Sequence, residues 1–371
     1  MENYVVSARK YRPQTFEAVV GQRAIVMTLK NAIKSNQVAQ AFLFCGSRGV
    51  GKTSTARILA KTLNCTSRTT ETEACNTCPS CESFNQGSSL NVYEMDAASN
   101  NGADHIRSLI DQVRIAPQLG SHKVYIIDEV HMLSQAGFNA FLKTLEEPPK
   151  HAIFILATTE KHKIIPTILS RCQIFDFNRI KVNDIAKHLE GVAQKENISA
   201  ESEALYLIAQ KADGALRDSL SIFDQIVSFT QGQVTYQAVL ENLNVLDYDY
   251  FFKIVDFAEN ENIPGALILY NDIMEKGYDG HNFLSGLSTH YRNLLVAKDP
   301  ASLSLLEVSD TVVARYAEQS SGITSHTILR SIYIIQKAET EFKASKNQRL
   351  LVEWTLMQLC SIKQESEKKN S

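Results

Sequence analysis

The chain has 371 residues, 44% of them hydrophobic and 21% charged, with a formal net charge of −3. This length leaves room for two or three domains with sizeable cores, and the composition is that of a soluble globular protein rather than a fibrous or disordered one. So balanced a charge excludes a protein that coats nucleic acid by bulk electrostatics; any DNA contact must come from local basic patches.

Residues 1–14 lack the apolar core and small-residue cleavage site of a signal peptide, and no stretch approaches transmembrane length. Seven cysteines, an odd number, without a secretory signal point to a reducing compartment such as the cytosol. Metal ligation or reactive thiols are then expected before disulfides.

In chain order, residues 7–13 are basic with an aromatic among them, which by itself describes a solvated arm. Val20-Gly21-Gln22 then opens an amphipathic helix over 23–35. Gly21 marks either a tight turn or a close approach of backbone to a ligand. The apolar run 41–45 is followed by Gly46-Ser47-Arg48-Gly49-Val50-Gly51-Lys52-Thr53 and a helix-prone segment. Strand, glycine-rich turn and helix form the context in which a P-loop binds a nucleoside triphosphate. The glycines allow successive N–H groups to point at phosphate oxygens, and the helix adds the positive end of its dipole. Lys52 is placed to reach the β- and γ-phosphates and Thr53 to ligate Mg²⁺.

Four cysteines follow: Cys65, then Cys75 after nine residues, then Cys78 and Cys81 at two-residue gaps. The segment is turn-rich without apolar periodicity, so burial alone does not hold it together. A structural Zn²⁺ is the favoured reading, with all four positions filled by protein and none left for catalysis. Free thiols or a redox dithiol are the alternatives. Cys45, Cys172 and Cys360 are isolated and read as small core residues.

Residues 90–96 read as a strand, followed by a turn at 100–102 and a helix to about 115. The run 123–127 ends in Asp128-Glu129, the form of a buried parallel strand that delivers acids at its C-terminal edge. Downstream of a P-loop, Asp128 is expected to hold Mg²⁺ and Glu129 to act as general base on the attacking water. A helix over 134–145 stops at Glu146-Glu147-Pro148-Pro149. The strand 151–156 delivers Ala157-Thr158-Thr159-Glu160, where a hydroxyl either senses the γ-phosphate or orients the water, or else caps the strand end. Arg171 follows a short helix and precedes the strand 173–177. It is either simply exposed or a finger offered to a neighbouring subunit's nucleotide. From 182 to 243 the pattern is helical, and Arg217 sits in a helix first turn, where the dipole disfavours a cation and a phosphate partner is implied. Helices are expected over 250–259, 264–276, 283–297, 323–342 and 348–362, with no catalytic constellation; a packing or oligomerisation domain fits. The polar end, 363–371, reads as a frayed tail.

Arg12-Pro13, Val20-Gly21-Gln22, the P-loop, the four cysteines, Asp128-Glu129-Val130-His131, the segment 142–149, Ala157-Thr158-Thr159, Ser170-Arg171-Cys172 and Gly214–Asp218 occur in an order that closely resembles the gamma/tau subunits of bacterial DNA polymerase III clamp loaders, which are AAA+ ATPases. The resemblance is dense over about 5–240 and looser beyond. It implies an α/β fold: an AAA+ P-loop parallel-sheet domain at 1–179 with a zinc knot inserted at 65–81, a small helical lid domain at 180–243, and an all-α collar domain at 247–362. It also implies that residues from Arg9 to Pro13, with Val20, Gly21 and Gln22, line the adenine pocket. Thr158 and Arg217 become the first and second sensors, and Arg171 the finger acting in trans.

The implied cofactors are ATP, Mg²⁺ and Zn²⁺. The implied partners are further gamma/tau copies, delta and delta-prime subunits, the beta sliding clamp and primer–template DNA, with no membrane. The place is the cytoplasm, at the nucleoid-associated replisome. The implied activity is ATP hydrolysis that loads the clamp, as part of a DNA-directed DNA polymerase holoenzyme. Two other readings compete. A branch-migration motor predicts a closed hexamer without the cysteine knot, and a non-hydrolysing scaffold of the delta-prime type predicts a damaged P-loop.

Overall fold

The computed structural model describes residues 5–117 and 120–363; all of the expected tail except Lys363 lies outside them. The chain divides into two compact units. One holds the described residues up to Lys195 together with Ala209–Gln225, the other Glu196–Ile208 together with those from Ile226 onward.

The first unit begins with α1 (Ser7–Lys10) and α2 (Arg23–Lys34), then β1 (Ala41–Cys45), α3 (Lys52–Asn64), α4 (Pro79–Asn85), β2 (Val92–Asp96) and α5 (Ala103–Val113). It continues with β3 (Lys123–Asp128), α6 (Gln135–Glu146), β4 (Ala152–Thr158), α7 (Pro166–Leu169), β5 (Gln173–Asp176) and α8 (Val182–Lys195). Among the described residues the strands form one parallel sheet in the order β2-β3-β4-β1-β5. β1, β3 and β4 are continuous apolar runs because both faces of this sheet are covered. On one face Phe42, Phe44, Ile126 and Ile155 pack with Leu29, Ile33, Ile58 and Leu59 of α2 and α3. On the other, Leu43, Tyr125, Ile127 and Phe154 meet Ile106 of α5 and Phe141 and Leu145 of α6. All strands being parallel, the P-loop, Asp128-Glu129 and Thr158-Thr159 leave the sheet on the same edge, where open α/β sheets bind ligands.

The cysteine segment is not all turns. Pro79 starts α4, its fixed φ suiting the first helical position, and seven residues are too few to display a period. β6 (Ser199–Ala200), α9 (Ser202–Lys211), α10 (Leu216–Thr230), β7 (Gln233–Val234) and α11 (Tyr236–Leu243) follow. α9 and α10 each contribute to both units, and β6 pairs with β7 in a two-residue parallel ladder inside a region that reads as helical throughout.

The second unit continues with α12 (Tyr248–Glu259), α13 (Ile263–Glu275), α14 (Gly280–Ala297), α15 (Asp310–Ser321), α16 (Ser325–Phe342) and α17 (Gln348–Cys360). Val255, Ile273, Phe283, Leu284, Leu287, Ile335 and Val352 centre its apolar core. α15 is an element without a sequence expectation: it turns only Val312, Tyr316 and Ser320 fully inward. Among the described residues no helix is long and apolar enough to cross a membrane.

Candidate functional site

The turn after β1 owes its path to glycine. Gly46 has φ +146°, and a Cβ there would stand 2.5 Å from the carbonyl oxygen of Phe177. Gly49 and Gly51 are also left-handed, and Gly51 caps α3, which begins at Lys52. Lys52 is buried, its Nζ donating to the carbonyls of Gly46 at 2.7 Å and Ser47 at 2.9 Å. Burial lowers its pKa, while the charges of Glu129 and Asp128 act the other way.

The acids converge on it from β3. Thr53 Oγ1 donates to Asp128 Oδ2 at 2.6 Å, so the two expected Mg²⁺ ligands are already adjacent. The second carboxylate oxygen of Asp128 accepts the Glu129 N–H at 3.0 Å. Glu129 adopts φ +47°, uncommon for a residue with a side chain. Its Oε2 accepts the Thr159 hydroxyl at 3.0 Å and the Thr159 N–H at 3.3 Å. Thr158 is fully buried. Its hydroxyl meets His131 Nδ1 at 3.1 Å and accepts the Glu160 N–H at 3.0 Å. His131 in turn lies 3.4 Å from both Glu129 Oε2 and Glu160 Oε1. Of the two threonines, Thr159 therefore touches the acid, and Thr158 fixes the strand end and the histidine.

These groups border a cleft of about 490 Å³ that gathers Pro13, Val20, Arg48 to Thr53, Asp128, Glu129 and Arg217. Arg9, Gly21, Gln22, Gly46, Ser47, Thr158 and Arg171 do not line it. Arg217 reaches the cleft because the Gly214 turn closes on the P-loop. A Cβ on Gly49 would stand 3.0 Å from that of Ala215, and one on Gly214 would stand 2.6 Å from that of Arg179. Gly21 serves as a turn, φ +75°, and as a close approach, with Ile180 Cγ2 3.0 Å from where its Cβ would be. Ile180, Leu216 and Leu220 form apolar wall that sequence reasoning missed; isolated aliphatics carry no signal of what they line. Glu94 and Asp96 at the end of β2 were missed too, although Asp96 pairs in register with Asp128. Arg12 lines the cleft, its pKa lowered by burial and by the neighbouring Arg57.

Arg171 is held on the surface. Its guanidinium donates to Glu146 Oε1 at 2.8 Å and to the Thr167 carbonyl at 2.7 Å.

The sulfurs of Cys65, Cys75, Cys78 and Cys81 all lie within 4.8 Å of one another. A tetrahedral Zn²⁺ with bonds of about 2.3 Å separates its sulfurs by roughly 3.8 Å, so the set fits such an ion. Backbone N–H groups of Cys75 and Cys78 point at the sulfurs of Cys65 and Cys75, 3.3 Å each, as suits thiolate ligands. Burial opposes ionisation of Cys78, yet the Thr66 N–H and hydroxyl bring its thiol down to about 6.

Three family models match in succession: the DNA polymerase III delta subunit over residues 21–181, the clamp-loader subunit ATPase lid domain over 184–232, and domain III of DNA polymerase III subunits gamma and tau over 234–371. The chain is 40% identical to DNA polymerase III subunit tau of Bacillus subtilis, over 98% of this chain and 64% of that one. It is 35% identical to DNA polymerase III subunit gamma of Buchnera aphidicola, over 97% of this chain and 98% of that one. The first tau relatives are longer, and the chain spans 47% to 64% of their length. The Thermotoga maritima RuvB Holliday junction branch migration motor overlays with a TM-score of 0.48 at 18% identity, over 67% of this chain and 78% of that one.

Proposed function

Because the chain belongs to the family of DNA polymerase III gamma and tau subunits, we propose that it is an ATP-hydrolysing clamp-loader subunit, which loads the sliding clamp onto primer–template DNA during replication. The observation that carries this reading is the 2.6 Å contact between Thr53 and Asp128, with Lys52 and Glu129 beside it in one cleft. The gamma and tau relatives favour it over a branch-migration motor.

The P-loop amides and Lys52 bind the triphosphate, the ammonium offsetting charge on its outer phosphates. Thr53 and Asp128 are the residues that would hold Mg²⁺, which would supply positive charge to offset that developing on the phosphate oxygens. Glu129, oriented by Thr159, accepts a proton from the attacking water. Pro13 and Val20 hold the base, and Arg217 contacts phosphate from the helical side of the cleft. Thr158 supports this array from the strand end. Arg171 belongs to the nucleotide of an adjoining subunit, where a finger arginine is worth orders of magnitude in rate.

Cys65, Cys75, Cys78 and Cys81 hold Zn²⁺. The three-part division at 1–179, 180–243 and 247–362 is part of the same reading, supported by the spans of the three family models. The partners are further copies, delta and delta-prime subunits, the clamp and DNA held through its phosphates, in the cytoplasm. The test is ATP turnover with primed DNA, with and without delta, delta-prime and clamp. DNA-stimulated turnover in the full mixture that disappears with Lys52→Ala is expected; equal clamp loading by Lys52→Ala overturns the ATPase assignment.

A further inference from the structure

Lys61 lies on α3 about two and a half turns beyond Lys52. It is only 2% exposed. Its Nζ donates to Asn76 Oδ1 at 2.8 Å and lies 3.4 Å from Asn85 Oδ1, with the ring of Phe84 5.9 Å away. Among the described residues no carboxylate forms an ion pair with it. A buried ammonium satisfied by neutral amides alone is costly unless negative charge lies close. Both amides belong to the cysteine knot: Asn76 stands between Cys75 and Cys78, and Asn85 closes the helix that carries Cys81. Burial lowers the pKa of Lys61. Four thiolates around a divalent cation leave a net charge of about −2, which is what this ammonium lacks.

The knot has a second anchor. Glu73 is buried and accepts the N–H of Phe16 at 2.9 Å and of Glu17 at 3.1 Å, while pairing with Lys30 at 2.7 Å. Each anchor leads straight to the nucleotide cleft. α3 opens with Lys52 and Thr53, and the segment after Phe16 supplies Val19 and Val20 to the cleft wall. Nothing in a purely structural knot requires both attachments to run to that one cleft.

We propose that the knot braces the nucleotide cleft: Lys61 is the counter-charge of a tetrathiolate Zn²⁺, and metal retention and nucleotide binding reinforce each other through α3 and residues 16–20. The second half rests on the nucleotide reading of the cleft; the first half does not. Coupling of this kind is reciprocal, so it is measurable from the metal side.

The experiment follows release of Zn²⁺ from the whole chain to a chromogenic chelator, with and without saturating ATP analogue. Lys61→Met is expected to release the ion about 10-fold faster or more, the range for outer-shell partners of a metal site, with helical circular dichroism unchanged. Lys61→Arg, which keeps the charge, should recover part of the loss. Lys61→Gln, which drops the charge and keeps a hydrogen-bond donor, decides the point if Lys61→Met does not fold. Bound nucleotide should slow release from the parent by about fivefold or more, and less in the Lys61 variants. Parental release from the uncharged variants overturns the counter-charge. Release from the parent that is indifferent to bound nucleotide overturns the coupling. A parent that binds no nucleotide refutes the reading of the cleft, while the comparison of Lys61→Met with the parent still stands on its own.

Discussion

Thr158 and Thr159 are chemically identical neighbours with opposite assignments. The hydroxyl of Thr159 holds the carboxylate of Glu129, whereas that of Thr158 is turned into the strand end against His131. On the proposed function, Thr159→Ala is therefore expected to lower the turnover number of the assembly by about 10- to 100-fold, with little change in nucleotide affinity, because only the orientation of the proposed base is lost. Thr158→Val should instead cost about 1 kcal/mol of stability, the net worth of a buried hydroxyl contact. Steady-state kinetics and thermal melts on both variants separate the two. Sequence alone places a hydroxyl at this edge but not which of two consecutive threonines faces the acid; that depends on how the chain turns after its last paired residue. A second residue test lies in the helical unit. His290 is buried between Tyr316 at 3.0 Å and Gln319 at 3.2 Å, and burial depresses its pKa to about 3. The folded value lies below the unfolded one, near 6.5, so the unfolded chain binds the extra proton. Its contribution is fully present above about pH 6.5 and is lost as pH falls toward 3, by at most ~1.4 kcal/mol per unit. Melts between pH 4 and 8 should show this slope, and His290→Gln should flatten it.

At the scale of elements, the strand-turn-helix from Ala41 to Asn64 carries the strongest local signal, because its conformational demands are extreme. Gly46→Ala puts a methyl group 2.5 Å from the Phe177 carbonyl at a φ of +146°, so β1 and the segment after β5 must part. Gly51→Ala meets nothing within 4 Å and bears only the backbone strain of φ +103°. Gly46→Ala should lower nucleotide affinity at least about 10-fold and melt earlier than Gly51→Ala, whose cost is that of one strained residue, about 1–3 kcal/mol. Nucleotide titration with both proteins checks the order. β1, β3 and β4 were readable because burial on two faces leaves a continuous apolar run. The order in which they pair was not, since parallel neighbours are joined through distant crossovers. α4, α15 and the β6–β7 ladder escaped for a different reason: they are too short, or bury too few residues, for a period to rise above composition. The cleft was legible where chemistry is explicit, at Lys52, Thr53, Asp128 and Glu129. It was silent where the wall is made of aliphatic residues such as Ile180 and Leu220.

Across the whole molecule, one unit carries the cleft, the knot and Arg171, and the other is mostly helical, on an apolar core. Arg171 does not line its own cleft, so in the proposed assembly its effect must appear in trans. Arg171→Ala should leave nucleotide affinity of the lone chain unchanged and cut hydrolysis by the assembled loader by roughly 10³-fold or more at the affected sites. Hydrolysis at the parental rate by that assembly would exclude the finger role. What holds the guanidinium meanwhile is Glu146, at the end of α6, and the Thr167 carbonyl. If Arg171 is the finger proposed above, a solitary copy keeps it tethered to an acid of its own, and dilute, unassembled chains are expected to idle with their fuel intact.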